Sequence, residues 1–162
     1  MAEDRTIDDI DAKILNILQL NARQTQAEIA RTVGLAPSAV LERVRKLEAR
    51  GVIRGYSANV DPRALGQRLL AFVSVRSEEG PGTNNVARLL AECDEVLEVH
   101  DVAGEDCYMI KVRARDAEHL GLLLRTRLGR IAGVRSTRTT IVLETVKETS
   151  RLHIPQREES AS

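Results

Sequence analysis

Between Thr25 and Arg50 the chain spells out two short helices and the tight turn joining them, and this stretch constrains the fold more than any other. Thr25-Gln26-Ala27-Glu28 is a capping-box pattern, in which a threonine hydroxyl and a glutamate three residues on satisfy each other's free amides at a helix start. Ile29, Ala30 and Val33 give that helix its apolar side, and Gly34 ends it. Pro37 suits the first position of the next helix, where its missing N–H costs nothing, and the helix runs to about Arg50 before Gly51. Ahead of the pair, Ile7, Ile10, Ile14, Ile17 and Leu18 recur at helical spacing, with Asp8, Asp9 and Asp11 in the first turn where the helix dipole favours them. The spacing predicts a helix over roughly Asp8 to Leu20, followed by a helix-turn-helix across Gly34-Leu35-Ala36. Val52 to Val60 then reads as a small β-ribbon, a wing behind the helices.

The periodicity changes after the Asp61-Pro62-Arg63 turn and Gly66. Leu69 to Val75 is a strand-like apolar run, Gly80-Pro81-Gly82 breaks the chain, and Val86, Leu89 and Leu90 are spaced for a helix. Val96 to Val102 reads as a strand, Gly104-Glu105-Asp106 as a turn, and Tyr108, Ile110 and Val112 alternate as a second strand. Leu120, Leu123, Leu124, Leu128 and Ile131 form an amphipathic helix ending near Gly133, and Val134 to Val146 a long last strand. On that strand Thr137, Thr139, Ile141 and Leu143 share one face, Val142 and Val146 the other. The order β-α-β-β-α-β is ferredoxin-like, with both helices on one face of an antiparallel sheet. The fold class expected is therefore α+β: a winged helix-turn-helix domain with β-ribbon over 1–60, a linker over 61–68, a ferredoxin-like domain over 69–150 and a tail over 151–162, of which Gln156 to Ser162 is polar and frayed. A bare sheet face carrying Phe72, Ile141 and Leu143 predicts a dimer.

The third helix carries the recognition chemistry. Val40, Val44 and Leu47 fall on one side; Ser38, Glu42 and Arg45 fall opposite, flanked by Ala39 and Lys46. Short side chains at the helix start, behind Pro37, allow close approach to base edges, and arginine and lysine further along reach phosphates or guanine. Arg43, Arg45, Lys46, Arg50 and Arg54 are opposed locally only by Glu42 and Glu48, so the basic charge is concentrated here although the chain's net charge is +0. Glu42 is tolerable beside phosphates only if it pairs with Arg45, Lys46 or a cytosine amino group. With 2% aromatics and no Trp, stacking on single-stranded nucleic acid is disfavoured, and the partner expected is double-stranded DNA.

Other classes find less support. His100, His119 and His153 are scattered, and none stands at metal-ligand spacing with Cys93 or Cys107. Cys107 near His100 suggests a nucleophile pair across the hairpin, but a buried thiol explains Cys107 more simply. No phosphate-binding glycine loop is present, so the chain reads as a non-enzyme without cofactor or metal. Free thiols, an acidic start over Met1 to Arg5 and no apolar run near 18 residues read as a reduced cytoplasmic protein with no membrane partner. A ferredoxin-like module that binds a small ligand and acts through protein contacts alone, without DNA, stays open as the alternative.

The ordered set of motifs resembles the Lrp/AsnC (leucine-responsive, feast/famine) family of transcription regulators. The resemblance is carried by Ile10 to Leu15, Val33 to Ser38, Leu41 to Glu48, Gly51 to Ala58, Val102 to Glu105 with Tyr108, Gly133-Val134 through Thr139, and Val146 to Leu152. It implies homodimers that assemble further, commonly to octamers, and an amino-acid effector bound where dimers meet. By position, the effector site would comprise Ala103, Gly104, Glu105, Asp106 and Tyr108 of the loop with Thr137, Thr139 and Thr140 of the last strand. Backbone N–H groups at Gly104 and the threonine hydroxyls would serve the effector's carboxylate, Glu105 or Asp106 its ammonium. Read alone, the same residues are an ordinary hairpin turn and an ordinary strand; the resemblance is what assigns them a ligand. Two positions depart from the family pattern. Cys107 stands where an Asp is usual, and Ala36 where Ser or Thr commonly caps the third helix.

Overall fold

A computed structural model describes residues 7–79 and 83–155. The readings made above of Met1 to Arg5, Gly80-Pro81-Gly82 and Gln156 to Ser162 lie outside the described residues. Two compact units emerge: one holds the described residues up to Ala58 together with those from Glu148 onward, the other Asn59–Lys147.

In the first unit, α1 (Asp9–Leu20) is capped by Asp8, whose carboxylate accepts the Asp11 N–H at 2.7 Å. The capping box forms at α2 (Gln26–Val33): the Thr25 N–H donates to Glu28 Oε2 at 2.7 Å, and the Glu28 N–H to Thr25 Oγ1 at 3.3 Å. Gly34 then takes φ +73°, which lets its own N–H and that of Leu35 both donate to the Ala30 carbonyl. The chain is thereby turned into α3 (Pro37–Ala49), whose cap residue Ala36 is extended but offers no side-chain hydrogen bond. Ile14, Ile29, Ala30, Val40 and Val44 make the buried core of this unit, with Ile53 packed against it.

The ribbon expected over Val52 to Val60 is not formed: no strand is assigned there among the described residues. Instead the Val52 and Ile53 amides both donate to the Leu47 carbonyl, and the Tyr56 hydroxyl donates to Glu48 Oε1 at 2.9 Å. Burial, followed by that carboxylate, pushes the Tyr56 hydroxyl up to about 12. Those local bonds hold the exit of α3, and the unit that holds Val52 to Ala58 has no strand among its described residues. The stretch from Glu148 belongs to this unit because Gln19 clamps it. Its side-chain amide donates to the Leu152 carbonyl at 3.0 Å and accepts the Leu152 N–H at 2.7 Å.

In the second unit, β1 (Leu69–Ser77), α4 (Asn85–Ala91), β2 (Val96–Asp101), β3 (Tyr108–Ala114), α5 (Ala117–Thr126) and β4 (Val134–Ile141) follow the ferredoxin-like order. The sheet runs β2-β3-β1-β4, and every neighbouring pair is antiparallel. Ala71, Val73 and Val75 of β1 with Ile110 and Val112 of β3 bury against Val86 and Leu90 of α4 and Leu120 and Leu123 of α5. The last helix is shorter than its apolar spacing predicts. It gives way to a 3-10 turn over Leu128–Arg130, where a Cβ on Gly129 would lie 2.8 Å from the Leu124 carbonyl oxygen.

Two further expectations are corrected. The final strand stops at Ile141 rather than Val146, and Leu143 and Val146 lie beyond it, exposed. Phe72, Ile141 and Leu143 do not share the bare face. Register pairs Ala71 with Ile141 and Phe72 with Thr140, so Ile141 is on the helix-covered side at the sheet edge and Phe72 on the bare side. Alternation along a strand decides this, and Leu143 is out of the alternation altogether.

Candidate nucleic-acid interface and ligand loop

Three apolar residues hold α3 down and leave its opposite face in solvent. Val40, Val44 and Leu47 are buried, while Pro37, Ser38, Glu42, Arg45 and Lys46 are exposed and Ala39 is half-buried. Glu42 is neutralised by its own helix: Lys46 Nζ lies 2.8 Å from Glu42 Oε1, one turn on. The Lys46 ammonium holds the Glu42 carboxyl below its usual range. Arg45 has no hydrogen-bond or ion-pair partner among the described residues and stands ready for an external anion.

Arg43, grouped with these residues from the sequence, is instead paired within its own unit. Its Nη1 lies 2.7 Å from Asp8 Oδ2 and 2.8 Å from Asp11 Oδ1, at the start of α1. The helical period anticipates this, because Arg43 falls only about 60° around the helix from Val40 whereas Arg45 falls about 140° away. Asp8 and Asp11 were legible as first-turn dipole residues; their bond to Arg43 had no local signal.

In the second unit the loop expected to hold the effector runs from Val102 to Cys107, between β2 and β3. Gly104 takes φ +138°, and a Cβ built there meets nothing within 4 Å, so the requirement for glycine is conformational and the space beside it is open. Two arginines that sequence reasoning missed pin the loop's acids. Arg138 Nη2 lies 2.6 Å from Asp106 Oδ2, and Arg76 donates to the Glu105 carbonyl oxygen at 3.2 Å while facing its carboxylate at 3.4 Å. Arg138 sits between Thr137 and Thr139 in the chain and, by alternation, on the other side of the sheet. Arg76 carries no nearby motif at all.

The predicted loop and strand residues do not all gather. Thr137 and Thr139 pair with Val75 and Val73 and share the helix-covered side, whereas Thr140 pairs with Phe72 on the bare side. Tyr108 is a core residue, 5% exposed, whose hydroxyl donates to the Thr83 carbonyl at 3.4 Å. Ala103, Gly104 and Glu105 are exposed and Asp106 half-buried. Cys107 is tied to the end of β1: its Sγ accepts the Ser77 N–H at 3.3 Å and lies 3.7 Å from the Ser77 carbonyl. His100 binds Glu98 instead, at 3.2 Å, so the imidazole and the thiol have separate partners. Burial pushes the Cys93 thiol up, away from nucleophilic use. Among the described residues no group of three or more His, Cys, Asp or Glu is placed to hold a metal ion. Nor is any described helix long and apolar enough to cross a membrane.

A three-helix unit with an outward basic recognition helix, joined to a ferredoxin-like unit with a polar loop, defines a DNA-binding regulator with a ligand-binding domain. Residues 7–54 match the family description "Winged helix-turn-helix DNA-binding", and residues 70–152 match "Lrp/AsnC ligand binding domain". The chain belongs to the Lrp/AsnC family of transcriptional regulators. It is 41% identical over 148 residues to the HTH-type transcriptional regulator FL11 of Pyrococcus horikoshii, covering 91% of this chain and 97% of that one. The leucine-responsive regulatory protein of Escherichia coli is 38% identical over 155 residues, 94% of each chain. Among solved structures, the feast or famine regulatory protein of M. tuberculosis complexed with L-methionine superposes with a TM-score of 0.85 at 41% identity, covering 93% of this chain and 100% of that one. These relatives are named as regulators, not as enzymes.

Proposed function

We propose that the protein is a sequence-specific regulator that reads double-stranded DNA with α3 and changes its assembly or its DNA affinity when a small amino acid binds. The observation that carries this reading is the outward face of α3: short side chains at Pro37, Ser38 and Ala39, then an unpartnered Arg45 and a Glu42–Lys46 pair. Such a surface lets backbone approach base edges while cations meet phosphates, and it releases counterions as it does so. Two copies of the chain, assembled as a homodimer and further as an octamer in the cytoplasm, would present two such helices to successive major grooves.

The effector site is assigned to Ala103, Gly104, Glu105, Asp106 and Tyr108 with Thr137, Thr139 and Thr140. What supports it is the open space at Gly104, the polar loop and the methionine complex of the M. tuberculosis neighbour. Because Tyr108 is buried and Thr140 faces the opposite side from Thr137 and Thr139, the exposed loop backbone is the contact nearest to hand. Duplex binding followed by fluorescence anisotropy across a salt series, with each amino acid added in turn beginning with methionine, tests the reading. Salt-dependent binding that one amino acid shifts in a dose-dependent way is the outcome expected. A chain that is stabilised by an amino acid yet binds no duplex would be the DNA-independent ligand-binding module instead.

A further inference from the structure

Apolar packing holds α3 to its unit but does not by itself determine how far the helix is rolled about its axis, because burial is non-directional. Val40 and Val44 lie in the core with Ile14, Ile29 and Ala30, so a small roll would keep them buried while sweeping Ser38, Glu42 and Arg45 through an arc. Charge-assisted hydrogen bonds are directional. One such node sits at the margin between the buried stripe and the outward face of α3.

We propose that Arg43 is a positioning residue for DNA recognition, a bolt that sets the roll of α3 through Asp8 and Asp11 and touches no DNA itself; this rests on the DNA-binding reading above. Three observations support it. One arginine nitrogen, Nη1, faces both carboxylates, at 2.7 and 2.8 Å. Asp8 divides its two oxygens, Oδ1 accepting the Asp11 N–H at 2.7 Å and Oδ2 facing Arg43, so the cap of α1 and the anchor of α3 are one structure. Among the described residues Asp11 is the one charged residue that is buried, 8% exposed, and with Arg43 it lines a depression shared with Ala39, Glu42, Lys46 and Arg50.

A phosphate contact and a positioning bolt differ in their salt dependence. Removing a phosphate contact lowers the slope of log affinity against log salt by about one; removing a bolt lowers affinity and discrimination with the slope kept. The probes are a duplex enriched by the full-length protein from a random pool and the same duplex with its sequence scrambled. Arg43→Met should weaken binding to the enriched duplex about tenfold, leave binding to the scrambled one within about twofold, and keep the salt slope. Arg43→Lys should restore part of the discrimination, since an ammonium can still meet a carboxylate. Asp11→Asn gives an independent arm and is isosteric. It removes a negative charge, so a bystander would tighten binding to both duplexes, whereas a member of the bolt loses discrimination between them. A slope that falls by about one in Arg43→Met, or an Asp11→Asn protein that binds both duplexes equally more tightly, overturns the assignment. Wild-type protein without salt-dependent binding to either duplex overturns the DNA-binding reading, and this inference with it.

Discussion

The outward face of α3 and the loop between β2 and β3 are both polar, exposed and rich in charge, yet they are prepared differently. On the outward face of α3 Glu42 is answered by Lys46, and Arg45, without a partner among the described residues, is left for an external one. Around the loop the acids are already matched: Asp106 to Arg138 and Glu105 to Arg76, both arginines reaching from the bare side of the sheet. A surface built for a polyanion keeps a cation unpaired, because pairing it internally would forfeit the counterion release that drives binding. On the proposed reading this loop receives a net-neutral zwitterion, and its acids are already balanced by the two arginines before a ligand arrives.

The sharpest way to break this contrast is to remove the cations of α3. The double substitution of Arg45 and Lys46 by Ala should weaken duplex binding by about two orders of magnitude and lower the salt slope by about two, read by anisotropy. The corresponding blow to the loop is Gly104→Val. With φ at +138° a branched side chain is strained whatever the space around it, at about 1–3 kcal/mol, and the response to the effector should disappear while duplex affinity stays within about twofold. A Gly104→Val protein that still shifts its melting temperature with the same amino acid would place the ligand elsewhere.

Smaller changes sharpen the comparison. Ala36 has the extended backbone of a cap but no oxygen to offer, so Ala36→Ser should stabilise α3 by about 1 kcal/mol in chemical denaturation. Glu42→Gln frees Lys46 from its intrahelical partner, and duplex binding should tighten a few-fold with a steeper salt slope; weaker binding would mean that Glu42 itself reads a base. The smallest effect concerns pH. Burial pushes the Asp8 carboxyl up, but the Asp11 amide and Arg43 outweigh that and hold it below its ordinary 3.8. A lowered folded-state value means stability that is present above 3.8 and lost as pH falls through the folded value. The melting-temperature difference between wild type and Asp8→Asn should therefore be steady near neutrality and close up under acid, and modest because Asp8 is largely exposed.

Much of this was legible in the chain, and for identifiable reasons. The capping box at Thr25 and Glu28, the Gly34 turn, Pro37 at its helix start and the buried stripe of Val40, Val44 and Leu47 are local patterns, each complete within a few residues. The six-element order of the second unit follows from periodicity in the same way. What escaped was long-range. Val52 to Val60 has strand-like composition but forms no strand among the described residues, and Phe72 and Ile141 part company only when register is known. The pairing of Gln19 with Leu152, of Arg43 with Asp8 and of Arg138 with Asp106 joins positions more than thirty residues apart.

By itself, then, the order of residues determined the helices, their caps and turns, the strand succession and the family, since each depends on neighbours one to four positions away or on a pattern repeated along the chain. Tertiary structure alone decided that Arg43 is held by Asp8 and Asp11, which side of the sheet Thr137 and Thr139 lie on, and which charges of the loop are already answered. Those outcomes depend on hydrogen-bond geometry between segments brought together by packing, and no local pattern encodes a direction in space.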